Sequence, residues 1–216
     1  MTTPSIPDLT LTQMLRAHAR ERPDALALRQ KDFGIWQAYS WQDYYRRARH
    51  FGLGLRAMGL EPGGHVAIIS ENRVEWVIGQ MGIGLVQGIC VGVYPTSPWN
   101  EVAYVLEHSD AEFVICEDQE QTDKVLEAWP DLPKLKHCIA IDMKGLRYYP
   151  EPPSAFEDIE ARGREFETQH PNLVDELLDS QQMDDTALMI YTSGSTGRPK
   201  GAMISWHNLH AAAPGL

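Results

Sequence analysis

The sequence predicts an α/β fold, a parallel sheet flanked by helices, and two observations carry that prediction. Short runs that are apolar on both faces, "HVAIIS", "ICVGVY", "FVIC" and "CIAID", alternate with segments of helical period from residue 36 onward. Strands of that kind belong to a sheet covered on both sides. The 43% apolar and 23% charged content is that of an ordinary globular chain, and 216 residues suffice for one sizeable core or two small ones. The order of strands is not readable from any local signal, and no internal repeat at a fixed period is visible.

Ser40 and Asp43 form a capping box before "WQDYYRRARHFGLGLRAMG". Trp41, Tyr44, Ala48, Phe51, Leu55 and Met58 then recur every three or four residues, giving a helix with one apolar stripe, closed by Gly59. Gly52 and Gly54 each cost such a helix about 1 kcal/mol relative to alanine, so a close neighbour is expected against them. The strand "HVAIIS" comes next, then a helix from about Arg73 to Gln87, a turn near Gly88, and the strand "ICVGVY". Ser97 and Pro98 are expected as N-cap and first-turn proline of a helix carrying Val102, Val105 and Leu106. "FVIC", a helix from Asp123 to Trp129 stopped by Pro130, and "CIAID" complete the regular part.

Residues 145–184 break the rhythm and are expected to form a surface connection within one larger domain. Ser154 and Glu157 would cap a short exposed helix ending near Gly163, and "GREFETQHPN" shows no apolar period. "TALMIY" and "GAMIS" are then two short strands enclosing a loop, and "WHNLHAAA" starts a helix.

Composition excludes some functions. A net charge of -11 is the wrong sign for nucleic acid. Any anion must be held locally, by backbone amides and one or two cations. Cys90, Cys116 and Cys138 are an odd number without CxxC spacing and lie in apolar runs, which fits buried reduced thiols rather than a disulfide framework or a zinc site. Reduced thiols and the lack of a basic, then apolar, N-terminal stretch point to the cytoplasm. "VIGQMGIGLVQGICVGVY" approaches the length of a membrane span, but Gln80 and Gln87 interrupt it, and a helix, turn and buried strand account for the same residues.

The loop is "YTSGSTGRPKG", Tyr191 to Gly201. A flexible linker would have polar, periodless flanks. These flanks are apolar, so the glycines become geometric requirements. Gly194 and Gly197 permit positive φ and an inward-turned nest of amides. Thr192, Ser193, Ser195 and Thr196 supply short hydroxyl donors, and Lys200 adds a point charge behind the stiff Pro199. The spacing is not that of the G-x-x-x-x-G-K-S/T loop, and no helix follows at once. Spacing alone gives a phosphate- or nucleotide-binding loop.

The loop also resembles the phosphate loop of AMP-forming acyl-CoA synthetases and related adenylate-forming enzymes, commonly Y-T-S-G-T-T-G-x-P-K-G. "GIWQAYSWQDY", "GLEPGGHVAIISENRVEW", "GVYPTSPWNEVAYVLEHSDAEFVICEDQEQTDKV" and "DMKGLRYYP" are similar to successive segments of long-chain fatty-acid–CoA ligases. The resemblance implies that residues 1–216 are the incomplete N-terminal part of an AMP-binding (adenylation) domain, cut after the phosphate loop. It implies a ligase that uses ATP, Mg2+ and coenzyme A. A fatty carboxylate first forms an acyl-adenylate with release of pyrophosphate, and the thiol of coenzyme A then displaces AMP. By the same resemblance Thr192, Ser193, Gly194, Ser195, Thr196, Gly197 and Lys200 hold the β- and γ-phosphates, and Thr192 is the first choice to reach magnesium. No general base is required, because the carboxylate is already ionised.

Three positions depart from the family pattern. Ser195 keeps the hydroxyl of the usual threonine, and Gly64 stands where aspartate is common. "SWHNL" replaces S/T-H-x-N-L, so Trp206 takes the histidine position and His207 is expected as a surface or helix-start residue. The family's later adenine, ribose, hinge and catalytic-lysine segments are not in the sequence, and the coenzyme A site is expected outside it. The chain alone is therefore expected to be inactive. The alternatives are a non-catalytic remnant that binds ATP or pyrophosphate, and one half of a split enzyme that pairs with a C-terminal half or with itself. A lipid-soluble substrate leaves room for peripheral membrane contact, although no amphipathic anchor is evident.

Overall fold

The computed structural model describes residues 9–192 and 198–212. The chain opens with α1 (Leu11–Glu21), capped by the Thr10–Gln13 box, and an antiparallel hairpin of β1 (Leu26–Asp32) and β2 (Ile35–Ser40). Then follow α2 (Trp41–Ala57), β3 (His65–Ile69), α3 (Val74–Leu85), β4 (Ile89–Val93) and α4 (Trp99–His108). β5 (Phe113–Cys116), α5 (Gln119–Ala128), β6 (His137–Ala140) and β7 (Ser154–Ala155) continue the alternation. Two helices, α6 (Phe156–Gln169) and α7 (Leu173–Ser180), lead to β8 (Thr186–Thr192), β9 (Lys200–Ser205) and α8 (Trp206–Ala212).

The main sheet has the order β7-β6-β5-β3-β4-β8-β9. Every pairing from β7 to β8 is parallel, as the doubly apolar runs require. The last is not: β9 pairs antiparallel to β8, with Thr192 opposite Lys200, so the sheet is mixed rather than parallel. The reason is length. Only residues 193–199 join the two strands, and a parallel crossover needs about a dozen residues. No residue of β9 is buried and half of them are exposed, where burial was expected.

Alternate residues along each strand enter two cores. Val66, Ile68, Cys90, Phe113 and Ile115 face α2, α3 and α6, whereas Ala67, Ile69, Val91, Val114 and Cys116 face α4 and α5. The close neighbours expected at the α2 glycines are present. A Cβ on Gly54 would strike the carbonyl oxygen of Ile159 in α6, and one on Gly52 would strike that of Gly82 in α3. The Phe51 and Phe156 rings stack at 4.1 Å in this seam. Arg47 pairs with Glu160 at 2.8 Å beside it; burial pushes the Glu160 carboxyl above its usual range and the guanidinium pulls it back.

Several boundaries correct the sequence reading. Pro98, not Ser97, is the N-cap of α4, and it makes no side-chain cap bond. α5 starts earlier than Asp123, because the Asp118 carboxylate caps it by accepting from the Gln121 amide. Ser154 lies in β7 and does not cap α6, which runs on through Gly163 to Gln169. That helix is not an exposed piece of a surface connection: Phe156, Ile159, Glu160 and Gly163 are buried against α2. The three cysteines are buried and free, and burial pushes the Cys90 thiol up to about 12. Among the described residues no helix is long and apolar enough to cross a membrane.

Candidate functional site

The loop leaves the sheet at the carboxyl end of β8, the end at which ligands bind in open α/β sheets. Thr192 is the last residue of β8 and Lys200 the first of β9; both are exposed. As directly opposed partners in an antiparallel pair, their side chains leave the same face of the hairpin. The structure therefore brings together the two ends of the predicted constellation. Ser193, Gly194, Ser195, Thr196 and Gly197 lie outside the described residues.

The opposite face of the hairpin belongs to Tyr191 and α4. Tyr191 is buried, and its hydroxyl shares a 2.8 Å hydrogen bond with Nδ1 of His108. Burial, reinforced by the neighbouring Tyr104 and Asp110, raises the Tyr191 phenol above its usual range. Its cross-strand partner is Gly201, where a Cβ would stand 3.0 Å from Cζ of the Tyr191 ring. The glycine that closes the motif thus makes room for the tyrosine that opens it. Beyond the loop, the Tyr104 hydroxyl donates to the Pro199 carbonyl at 3.1 Å, and the Arg198 guanidinium lies over the Tyr104 ring at 5.2 Å.

A cleft of about 540 Å3 separates α4 from this arm and is lined by Glu101, Tyr104, Glu107, Asp131 and Arg198. Three carboxylates against one guanidinium repel a polyanion, so this cleft is unsuited to phosphates. At the carboxyl ends of β3 and β5 the crevice is filled by the protein itself. There Glu117 accepts from the Glu71 amide at 2.7 Å and from the Ser70 hydroxyl at 3.3 Å, with Arg73 at 3.4 Å.

Sequence reading missed Tyr104, His108 and Arg198 as supports of the loop. The one signal was that Tyr104 and His108 are four apart on a helix and outside its apolar stripe. Trp206, the departure noted after the loop, is 2% exposed and packs on Gly84, so it is a core side chain. His207 is exposed near the start of α8, and its amide donates to the Met183 carbonyl at 2.8 Å.

Comparison with known proteins matches the family model "AMP-binding enzyme" to residues 15–216. The chain is 32% identical to long-chain-fatty-acid–CoA ligase ACSBG1 of Rattus norvegicus over 192 residues, which is 86% of this chain and 25% of that protein. It therefore spans about a quarter of the length of such relatives. A solved structure of a putative long-chain-fatty-acid CoA ligase from Rhodopseudomonas palustris superposes with a TM-score of 0.74 at 26% identity, covering 96% of this chain and 47% of that one. The anthranilate CoA ligase AuaEII, solved with anthranoyl-AMP, shares the fold with a TM-score of 0.76 at 22% identity, over 95% of this chain and 36% of its own. A motif seated at the carboxyl end of the sheet, in a chain matched from residue 15 to its last residue, makes this chain a member of the AMP-binding enzyme family.

Proposed function

We propose that this chain is the N-terminal part of an ATP-dependent, AMP-forming acid–thiol ligase acting on long-chain fatty acids, and that its β8–β9 hairpin holds the outer phosphates of ATP. The observation that carries the reading is the pairing of Thr192 with Lys200 on one face at the carboxyl end of the sheet. The seven loop residues, Thr192 to Gly197 and Lys200, are the proposed phosphate ligands, and 30% identity to a long-chain-fatty-acid–CoA ligase favours a fatty carboxylate as co-substrate.

In the proposed reaction a carboxylate oxygen bonds to the α-phosphorus, and the bond to the β-phosphate oxygen breaks, so pyrophosphate leaves with the electron pair. The thiol sulfur of coenzyme A next bonds to the acyl carbon, and AMP departs. This chain's part is binding and charge placement. Lys200 and the hydroxyls steady the β- and γ-phosphates, which carry the negative charge that grows as pyrophosphate separates. Magnesium would neutralise phosphate oxygens when bound. Mg2+ is commonly held through substrate phosphates with few protein ligands, and the exposed Thr192 hydroxyl fits that role. No residue of this chain is assigned to coenzyme A.

The 216-residue chain is proposed to bind without turnover. Calorimetry with ATP and magnesium should give saturable binding that weakens about tenfold in Lys200→Ala, the size of one charge-assisted contact. Pyrophosphate release from ATP and palmitate should stay at background. Steady turnover by the purified chain would contradict the binding-only part, and absence of any nucleotide binding would contradict the whole reading.

A further inference from the structure

We infer that Tyr104 and His108, one turn apart on α4, are positioning residues that set the separation of the two arms of the β8–β9 hairpin. The inference rests on the phosphate-binding reading for its purpose, but its geometry stands apart from it. His108 holds the arm entering the loop, through the Tyr191 hydroxyl at 2.8 Å, with the two rings edge-on at 87°. Tyr104 holds the arm leaving it, through the Pro199 carbonyl at 3.1 Å and the Arg198 guanidinium over its ring. The two clamping rings contact each other, with centroids 5.4 Å apart. Both arms are thus referred to one turn of one helix.

The choice of groups fits that role. Pro199 has no N–H, so its carbonyl is the only backbone hydrogen-bonding group by which it can be tied, and Tyr104 uses it. α4 is fastened to the sheet by Val102, Val105 and Leu106, all buried. Tyr104 is half-buried at the edge of that core and His108 is exposed, so most of the anchoring falls to the three buried side chains. They reach sideways from it to the hairpin. A loop that must meet a polyanion with its donors already in place gains affinity from arms held at fixed spacing, because less ordering remains to be done on binding.

The test compares hydrogen exchange of residues 190–203 in the ligand-free chain with calorimetric binding of pyrophosphate. Tyr104→Ala and His108→Ala should each raise exchange in that segment about fivefold, the factor worth one hydrogen bond, with Tm lowered by no more than about 3 °C. Pyrophosphate affinity should fall by a similar factor. Tyr104→Phe, which keeps the ring under Arg198, should show a smaller increase. His108→Asn, whose amide reaches the place of Nδ1, should return both readouts towards wild type. Unchanged exchange in both alanine variants overturns the inference, as does a rise spread evenly over the whole chain. If wild type binds no pyrophosphate, or Lys200→Ala binds it equally well, the phosphate reading falls and the positioning purpose with it. The exchange data then still decide whether the clamp holds the arms.

Discussion

The α2–α6 seam and the β8–β9 hairpin both depend on glycine, and they use it in opposite ways. In the seam, Gly54 and Gly163 let helix backbones touch, and Phe51, Phe156 and Ile159 around them are fully buried. In the hairpin, Gly201 makes room for one ring, and no residue of β9 is buried. The seam is held by backbone-to-backbone contact and apolar burial, which have no alternative arrangement at low cost. Beyond its backbone ladder, the hairpin is tied to α4 by two side-chain hydrogen bonds and a cation over a ring, each of the order of 1 kcal/mol. Stability is thus concentrated in the helical layer and the proposed ligand contact at the edge, so substitutions in the two places should act on different measurements.

The largest effect belongs to the seam. Gly54→Val places a branched side chain against the Ile159 carbonyl and should cost about 3 kcal/mol in urea unfolding, because α6 must move away. Lys200→Ala should do the reverse: lower pyrophosphate affinity about tenfold while leaving the urea midpoint in place, since the side chain is exposed. Gly201→Ala blurs the division. Its Cβ crowds a Tyr191 ring that His108 pins, so it should cost about 1 kcal/mol and also weaken binding; a change in stability alone would show that the ring does not transmit to the loop.

Ser40→Ala, at the start of α2, should cost about 1 kcal/mol at neutral pH and leave binding untouched. Its dependence on pH has a fixed sign. The Ser40 hydroxyl donates to the Asp43 carboxylate at 2.8 Å and is the main reason that the Asp43 pKa lies below its ordinary value of 3.8. A carboxylate lowered by folding contributes stability that is complete above its unfolded pKa and is lost as pH falls through the folded one. The gap between wild type and Ser40→Ala should therefore hold steady above about pH 5 and narrow as pH falls below about 4, leaving the cap bond from the Asp43 amide, as followed by acid titration with circular dichroism.

Much of the fold was legible because burial and period agree. β3, β4, β5 and β6 are apolar on both faces, and α2 carries both its capping box and its stripe. α1 and the first hairpin went unassigned, although Thr10 and Gln13 form a capping box of the same kind. The hairpin turn places Phe33 at a φ of 44° before Gly34, where asparagine is the usual signal. Gly163 was misread as the end of a helix, because nothing local distinguishes a glycine that stops a helix from one that lets another backbone in. The place of the loop was legible from the two strands that flank it, β8 and β9. The clamp was not, because Tyr104 and Pro199 are 95 residues apart and only the packing of α4 beside β8 brings them together.

The central claim is that the β8–β9 hairpin receives phosphates on the Thr192 and Lys200 face. The most direct measurement is a pyrophosphate titration of the isotopically labelled chain, followed through backbone amide signals. Saturable shifts centred on residues 190–201, with the α2–α6 seam silent and the response lost in Lys200→Ala, are the predicted result. Shifts centred elsewhere, or none at millimolar pyrophosphate, would contradict it.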